Sequence, residues 1–238
     1  MHVITSSGGT LQVSGSWSAQ DQSPALRARR ILHTGLPELD RLLPGGGFVC
    51  GSVLEFLAET SPAFLLPVLL AISACRFGWI AWCDGDRRFF PPAAAALGLP
   101  LDRLLLLRPP DHDSLLWAAA EALRCPGIAA CIVPLPDRRL SHLHVRRIQL
   151  AAETGRGAGI LLRPASHRHH PYAAASRWLV QPAPCHPQAH RWSVQLLHGH
   201  GGLVGSTLLL EIDRDTHLVR AIDPLAHGSL SPPAVRSA

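Results

Sequence analysis

Residues 34–70 read T-G-L-P-E-L-D-R-L-L-P-G-G-G-F-V-C-G-S-V-L-E-F-L-A-E-T-S-P-A-F-L-L-P-V-L-L. A short helix, a glycine turn, an apolar strand, a loop and a second helix are expected in that order, which is how a nucleotide-binding α/β fold opens. A phosphate-binding loop at this spacing needs G-x-x-x-x-G-K-[ST]: glycines let backbone N–H groups curl round phosphates, lysine matches their charge, and a hydroxyl holds magnesium. At those four positions the chain carries Ala58, Ala63, Phe64 and Leu65. No other register restores the loop, because the sequence holds no lysine and all 22 basic residues are arginine. The acid that would close an apolar strand and hold magnesium is due after Ile132 and Val133, where Pro134 and Leu135 stand. Two separate losses point the same way, so no cofactor is expected and ATP binding least of all.

Beyond this opening, strands and helices alternate. Strands are expected at 53–57, 78–83, 104–107, 128–133 and 159–162, with helices at 62–75, 92–97, 113–124 under an Asp113 cap, and 140–154 closed by Gly155. The runs of uninterrupted apolar residues suit parallel strands covered on both faces. Four shorter strands at 177–180, 191–197, 207–212 and 217–221 suit an antiparallel extension of one sheet. The fold class is therefore α/β, a doubly wound, mostly parallel sheet with antiparallel C-terminal strands.

At 238 residues the chain holds one substantial core, expected over 31–222, between a mobile arm at 1–30 and a flexible tail at 223–238. Charged residues make up 16%, low for a globular protein, so an unusual share of the surface is buried or reserved for a partner. A net charge of +5 is compatible with an acidic partner such as nucleic acid and equally with an ordinary basic surface. The six cysteines, Cys50, Cys75, Cys83, Cys125, Cys131 and Cys185, are scattered without a C-x-x-C pair and read as buried free thiols in a reducing compartment. The N-terminus lacks the charge and apolar run of a signal peptide, and the longest apolar run is too short to span a bilayer. A cytoplasmic protein without membrane contact is expected.

Candidate binding residues are basic. Arg138 and Arg139 follow the fourth strand, Arg146 and Arg147 lie on the next helix, and together they form the densest basic patch, suited to phosphates or to an acidic protein. Arg168 sits in the histidine patch His167-Arg168-His169-His170, where H-x-H-H before Pro171 gives no tetrahedral geometry. No metal site is expected, and these histidines read as neutral and partly exposed. Asp84 and Asp86 end the second strand, where they suit a turn cap better than catalysis without phosphate or metal. Trp178 and Trp192, in the matching settings R-W-L-V-Q and R-W-S-V-Q, read as sheet residues. No catalytic residue is identified, and the chain is not expected to be an enzyme.

T-G-L-P-E-L-D-R-L-L-P-G-G-G followed by G-S-V-L-E-F-L resembles the opening of RecA-type ATPase cores. Three further segments, F-F-P-P-A-A-A-A-L-G-L-P-L-D-R-L-L-L-L-R-P-P-D, R-R-I-Q-L-A-A-E-T-G-R-G-A-G-I-L-L-R-P and S-R-W-L-V-Q-P-A-P, make the chain similar to the ImuA family over about 31–221. The resemblance implies a RecA-like P-loop NTPase fold with a degenerate phosphate loop. It also implies an accessory role in the SOS response and in DNA-damage-induced translesion synthesis. The implied partners are an ImuB-type Y-family polymerase relative and an error-prone replicative-type polymerase, with RecA and single-stranded DNA as further candidates. The loops that contact single-stranded DNA in RecA correspond to about 136–147 and 165–172, the second much shorter than its counterpart. Three readings follow: an assembly factor, a modulator of RecA filaments, and a noncanonical DNA-dependent ATPase.

Overall fold

The computed structural model describes residues 2–4, 30–58, 64–170, 174–184, 189–199 and 201–222. The chain begins with β1 (His2–Ile4), and β2 (Ile31–Leu32) pairs with β3 (Phe48–Val49) as a small antiparallel ribbon beside the main sheet. Between them α1 (Pro37–Asp40) is started by proline in its first turn, and Asp40 reaches back to accept from the N–H and hydroxyl of Thr34 at 3.0 and 2.9 Å. Gly45 and Gly46 then take φ of +76° and +73°, a turn that L side chains disfavour. At Gly47 a Cβ would stand 2.7 Å from the Leu32 carbonyl oxygen.

The core strands follow in alternation with helices: β4 (Val53–Ala58), α2 (Leu65–Ala74), β5 (Trp79–Cys83), α3 (Pro91–Ala96), β6 (Leu104–Leu107), α4 (His112–Arg124), β7 (Ile128–Pro134), α5 (His142–Gly155) and β8 (Ala158–Pro164). The chain finishes with β9 (Ser176–Pro182), β10 (Ala189–Gly199), β11 (Thr207–Asp213) and β12 (Val219–Ile222). One ten-stranded sheet runs β1-β6-β5-β7-β8-β4-β9-β10-β11-β12. Its first seven strands are parallel and its last three join antiparallel. The expected α/β architecture is present, a mixed sheet with mostly parallel strands.

Alternation along each strand sends side chains to two cores. Phe56, Ile80, Trp82, Ile132 and Trp178 pack with Leu66, Leu70 and Ala71 of α2 on one face. Ala81, Cys83, Cys131 and Leu161 pack with Leu116, Ala119 and Leu123 of α4 and Ile148 and Ala151 of α5 on the other. The helix α2 is apolar nearly all round, and its Leu65, Leu66, Val68, Leu70 and Ala71 are all buried.

Several local expectations are corrected. The cap of α4 is Asp111, whose Oδ1 accepts from the Ser114 N–H at 2.8 Å; Asp113 lies inside the first turn. Gly155 does not stop α5, since Arg156 takes the left-handed position at φ 60°. Gly155 is small because a Cβ there would stand 1.9 Å from the Leu123 carbonyl oxygen of α4. The first of the four late strands, β9, is parallel to β4, and the antiparallel extension starts only at β10. Within the expected arm, His2–Ile4 extends the sheet beside Leu105, Leu106 and Leu107, while 5–29 and the tail 223–238 lie outside the described residues. Among the described residues no helix is long and apolar enough to cross a membrane.

Candidate functional site

Chain connections leave β5 toward β6 and leave β7 toward β8, in opposite directions across the sheet. A crevice opens where connections diverge in this way, and open α/β sheets place ligands there. A cavity of about 410 Å³ occupies that place, with Asp84 at the end of β5 and Pro134 and Leu135 at the end of β7 on its wall.

Of the phosphate-loop positions, Phe64 lines this cavity. Ala58 closes β4 and is buried, Leu65 opens α2 and is buried, and Ala63 lies outside the described residues. Phe64, at the lysine position, stacks on Trp82 with ring centroids 6.0 Å apart. Phe89 packs on Trp82 as well, tilted by 34° with ring centroids 4.2 Å apart. Aromatic carbon thus stands where charge would meet phosphate. Asp84 Oδ1 accepts from the N–H groups of Arg88 and Phe89 at 2.7 and 3.0 Å, so this carboxylate ties the turn after β5. Asp86 is exposed on the rim.

The candidate arginines divide into two groups. Arg138 and Arg139 are exposed in the loop after β7, and Arg168 is exposed in the 3-10 turn Ala165–His169 after β8. These loops are joined: Asp137 Oδ1 lies 2.7 Å from His167 Nε2 and accepts from the Ser166 hydroxyl at 3.2 Å. Arg146 and Arg147 are exposed on α5, near carboxylates, with Arg146 at 4.0 Å from Glu153 and Arg147 at 3.9 Å from Glu121. Exposed pairs of this length hold little energy, so their charge remains largely available.

Beneath the second loop lies a buried ion network that sequence reasoning missed. Glu55 on β4 meets Arg163 of β8 at 2.9 Å and Arg177 of β9 at 2.7 Å, and each of the three is at most 5% exposed. Arg163 also donates to His167 Nδ1 at 2.8 Å, and Arg177 donates to the carbonyl oxygens of His167 and His170 at 2.6 and 3.1 Å. One carboxylate therefore anchors two guanidinium groups that hold the loop after β8. The available signal was charge inside otherwise apolar strands, as in V-L-E-F-L-A and G-I-L-L-R-P.

The expectation of partly exposed histidines fails at His167, which is 2% exposed. Burial, then the neighbouring Arg163, pushes its pKa below the ordinary value, against a hydrogen bond to Asp137. Among the described residues no group of histidine, cysteine and acidic side chains has the arrangement of a metal site. His186, His200 and Cys185 lie outside the described residues. Cys83 and Cys131 are buried thiols and Cys50 and Cys75 are half-buried, with burial raising the last two to about 11. Cys125 is exposed, contrary to expectation, because it stands in the turn after α4 and not in β7. Trp178 is a core residue opposite Leu196, and Trp192 faces Pro182 and Leu210, so both are sheet residues with different partners.

No model of a known protein family matches the chain. It is 30% identical over 229 residues to protein ImuA of Caulobacter vibrioides strain NA1000, covering 82% of this chain and 90% of that protein. Over 105 residues it is 27% identical to protein RecA of Francisella tularensis subsp. novicida, covering 43% of this chain and 29% of that protein. Among solved structures, the RadB recombinase superposes with a TM-score of 0.65 at 16% identity, covering 81% of this chain and 100% of that one. At that identity the shared feature is the fold.

Proposed function

The chain belongs to the ImuA family and has a RecA-like fold, and from that premise we propose that it is a non-catalytic accessory factor in DNA-damage-induced mutagenic translesion synthesis. In this reading it assembles other proteins, bringing an ImuB-type Y-family polymerase relative together with an error-prone replicative-type polymerase. The observation that carries the proposal is Phe64 on Trp82, a ring stack at the position where a RecA-type ATPase needs its lysine. Burying a triphosphate and magnesium against these rings, with no lysine in the chain, would leave charge uncompensated. A domain so arranged contributes a rigid sheet and the surfaces mounted on it.

The basic rim supports a second part of the same reading. Arg138, Arg139 and Arg168 stand on two loops that Asp137 and His167 hold together, with Arg146 and Arg147 on the adjoining helix. Such a rim suits the backbone of single-stranded DNA, whose phosphates need cations but no catalytic group. It would place the polymerase partners on the template.

Affinity purification of the full chain co-expressed with the ImuB-type protein from the same genome, with RecA offered in parallel, tests the proposal. Retention of the polymerase relative and not of RecA is expected. Retention of RecA alone would replace the assembly reading with modulation of RecA filaments, a reading favoured by the 27% identity to RecA over 105 residues.

A further inference from the structure

Acidic side chains outnumber basic ones on the described wall of the cavity between β5 and β7. Asp84, Asp86, Asp111 and Asp137 line it, with Arg88 as the one guanidinium among the described lining residues. Hydrogen bonds from the N–H and hydroxyl of Ser114 hold the Asp111 carboxyl below the usual range, so it is ionised near neutral pH. Burial, then Arg138, lowers the pKa of His112, which also lines the wall, and favours its neutral imidazole. A phosphate would enter against this field, whereas a cation would be drawn in.

Two buried polar atoms of the same wall have no partner among the described residues. Asp84 is 4% exposed, and while its Oδ1 accepts two backbone N–H groups, its Oδ2 accepts none. The indole Nε1 of Trp82, on a fully buried side chain, donates to nothing. A buried carboxylate oxygen and a buried N–H left in this state call for a ligand bearing both a donor and an acceptor.

We propose that this cavity receives an arginine side chain carried by a partner protein. A guanidinium group is planar, weakly hydrated and rich in donors, and it stacks on aromatic faces. Phe64 and Phe89, half-buried and backed by Trp82, supply the rings, and Asp84 Oδ2 takes an N–H. Asp86, Asp111 and Asp137 supply the surrounding negative potential. The peptide bonds flanking the arginine bring carbonyl oxygens that the Trp82 N–H lacks. A lysine fits less well, since its compact ammonium is strongly hydrated and does not stack. The volume of about 410 Å³ lies at the small end of ligand pockets and suits one side chain with its adjoining backbone. In this arrangement the loss of the phosphate loop has left a socket of opposite electrostatic preference.

Isothermal titration of the full chain with a capped Gly-Arg-Gly peptide, its citrulline counterpart, free agmatine and inorganic triphosphate tests this. The arginine peptide is expected to bind. The citrulline peptide, equal in shape but neutral, is expected to bind at least tenfold more weakly, and agmatine, which lacks the carbonyl groups, more weakly than the peptide. Asp84→Asn keeps an oxygen for the Arg88 and Phe89 N–H groups and removes the charge, so it is expected to cost tenfold or more. Should that variant fail to fold, Asp86→Asn on the exposed rim is expected to cost about threefold through the potential alone. Equal binding of the citrulline peptide, no binding of the arginine peptide, or unchanged affinity in the variants would overturn the proposal. Agmatine binding as tightly as the peptide would make the ligand a free small cation, and triphosphate binding in its place would restore an anion site. Triphosphate binding would also reopen the noncanonical ATPase reading; the other outcomes leave the assembly reading untouched, since it rests on the family, the ring stack and retention of the polymerase relative.

Discussion

Asp137 in the loop after β7 and His167 in the turn after β8 meet at 2.7 Å, from Oδ1 to Nε2. Arg163, on the other side of the ring, sets the imidazole tautomer. Arg163 has only donors and lies 2.8 Å from His167 Nδ1, so that nitrogen accepts and the proton sits on Nε2, facing Asp137. A neutral histidine thereby links two loops that carry Arg138, Arg139 and Arg168.

The pH dependence of stability follows from that tautomer. Burial and then Arg163 put the folded-state pKa of His167 below its ordinary 6.5, so below pH 6.5 the unfolded chain binds the proton more readily than the folded one. Stability from this group is fully present above the unfolded value and is lost as pH falls through the folded one. His112, lowered by burial and then Arg138, acts in the same sense. The melting temperature is expected to fall between about pH 7.5 and about pH 5.5, with a shallower fall in His167→Gln, measured by circular dichroism.

Removing the Glu55 carboxylate leaves Arg163 and Arg177 buried without their shared counter-charge. Breaking a buried ion pair by deleting one partner costs about 3–5 kcal/mol. At roughly 2–4 °C per kcal/mol for a chain of this size, Glu55→Gln is expected to lower the melting temperature by roughly 6–20 °C. A shift of a degree or less would mean that water reaches the guanidinium groups.

Single-stranded DNA binding is expected to divide along the two arginine groups. Among the described residues no carboxylate lies within ion-pair distance of Arg138 or Arg139, whereas Arg146 and Arg147 approach Glu153 and Glu121. Fluorescence anisotropy over a salt series should show a steep slope for the unaltered chain. Replacing all four arginines with alanine should cost tenfold or more and flatten the slope, by about 0.7 for each phosphate no longer neutralised. Arg138→Ala with Arg139→Ala is expected to account for more of the loss than the α5 pair. Equal losses would place the strand along α5.

How far the fold could be read depended on what each signal reports. Strands β5, β6 and β7 are covered on both faces, so W-I-A-W-C, L-L-L-L and I-A-A-C-I-V-P show themselves as apolar runs. The direction of β9 was not legible, because S-R-W-L-V-Q-P looks the same whether its neighbour is parallel β4 or antiparallel β10. Gly155 carried a double meaning: its position at a helix end suggested a stop, while its cause is the approach of α4. At the site, the missing lysine was plain in the residues, since it concerns identity alone. The Glu55 network and the orphaned Asp84 Oδ2 depend on which strands lie side by side and on burial, and neither is local.

Phe64 makes the last expectation the most direct. Its ring lies against Trp82 at the carboxyl end of the sheet, Leu65 is buried behind it, and Pro134 and Leu135 occupy the place of the magnesium-binding acid. A nucleotide bound at this end would meet apolar surface where its phosphates need donors, beside the carboxylates of Asp84 and Asp86. A ligand at 100 times its dissociation constant stabilises the folded state by about 2.7 kcal/mol, a shift of several degrees. Millimolar Mg-ATP is therefore expected to leave the melting temperature within a degree of the unliganded value, and Phe64→Lys alone is not expected to restore a shift, since Leu65 still withholds the magnesium hydroxyl. A shift of several degrees in the unaltered chain would mean that nucleotide binds, and the noncanonical ATPase reading would then displace the assembly factor.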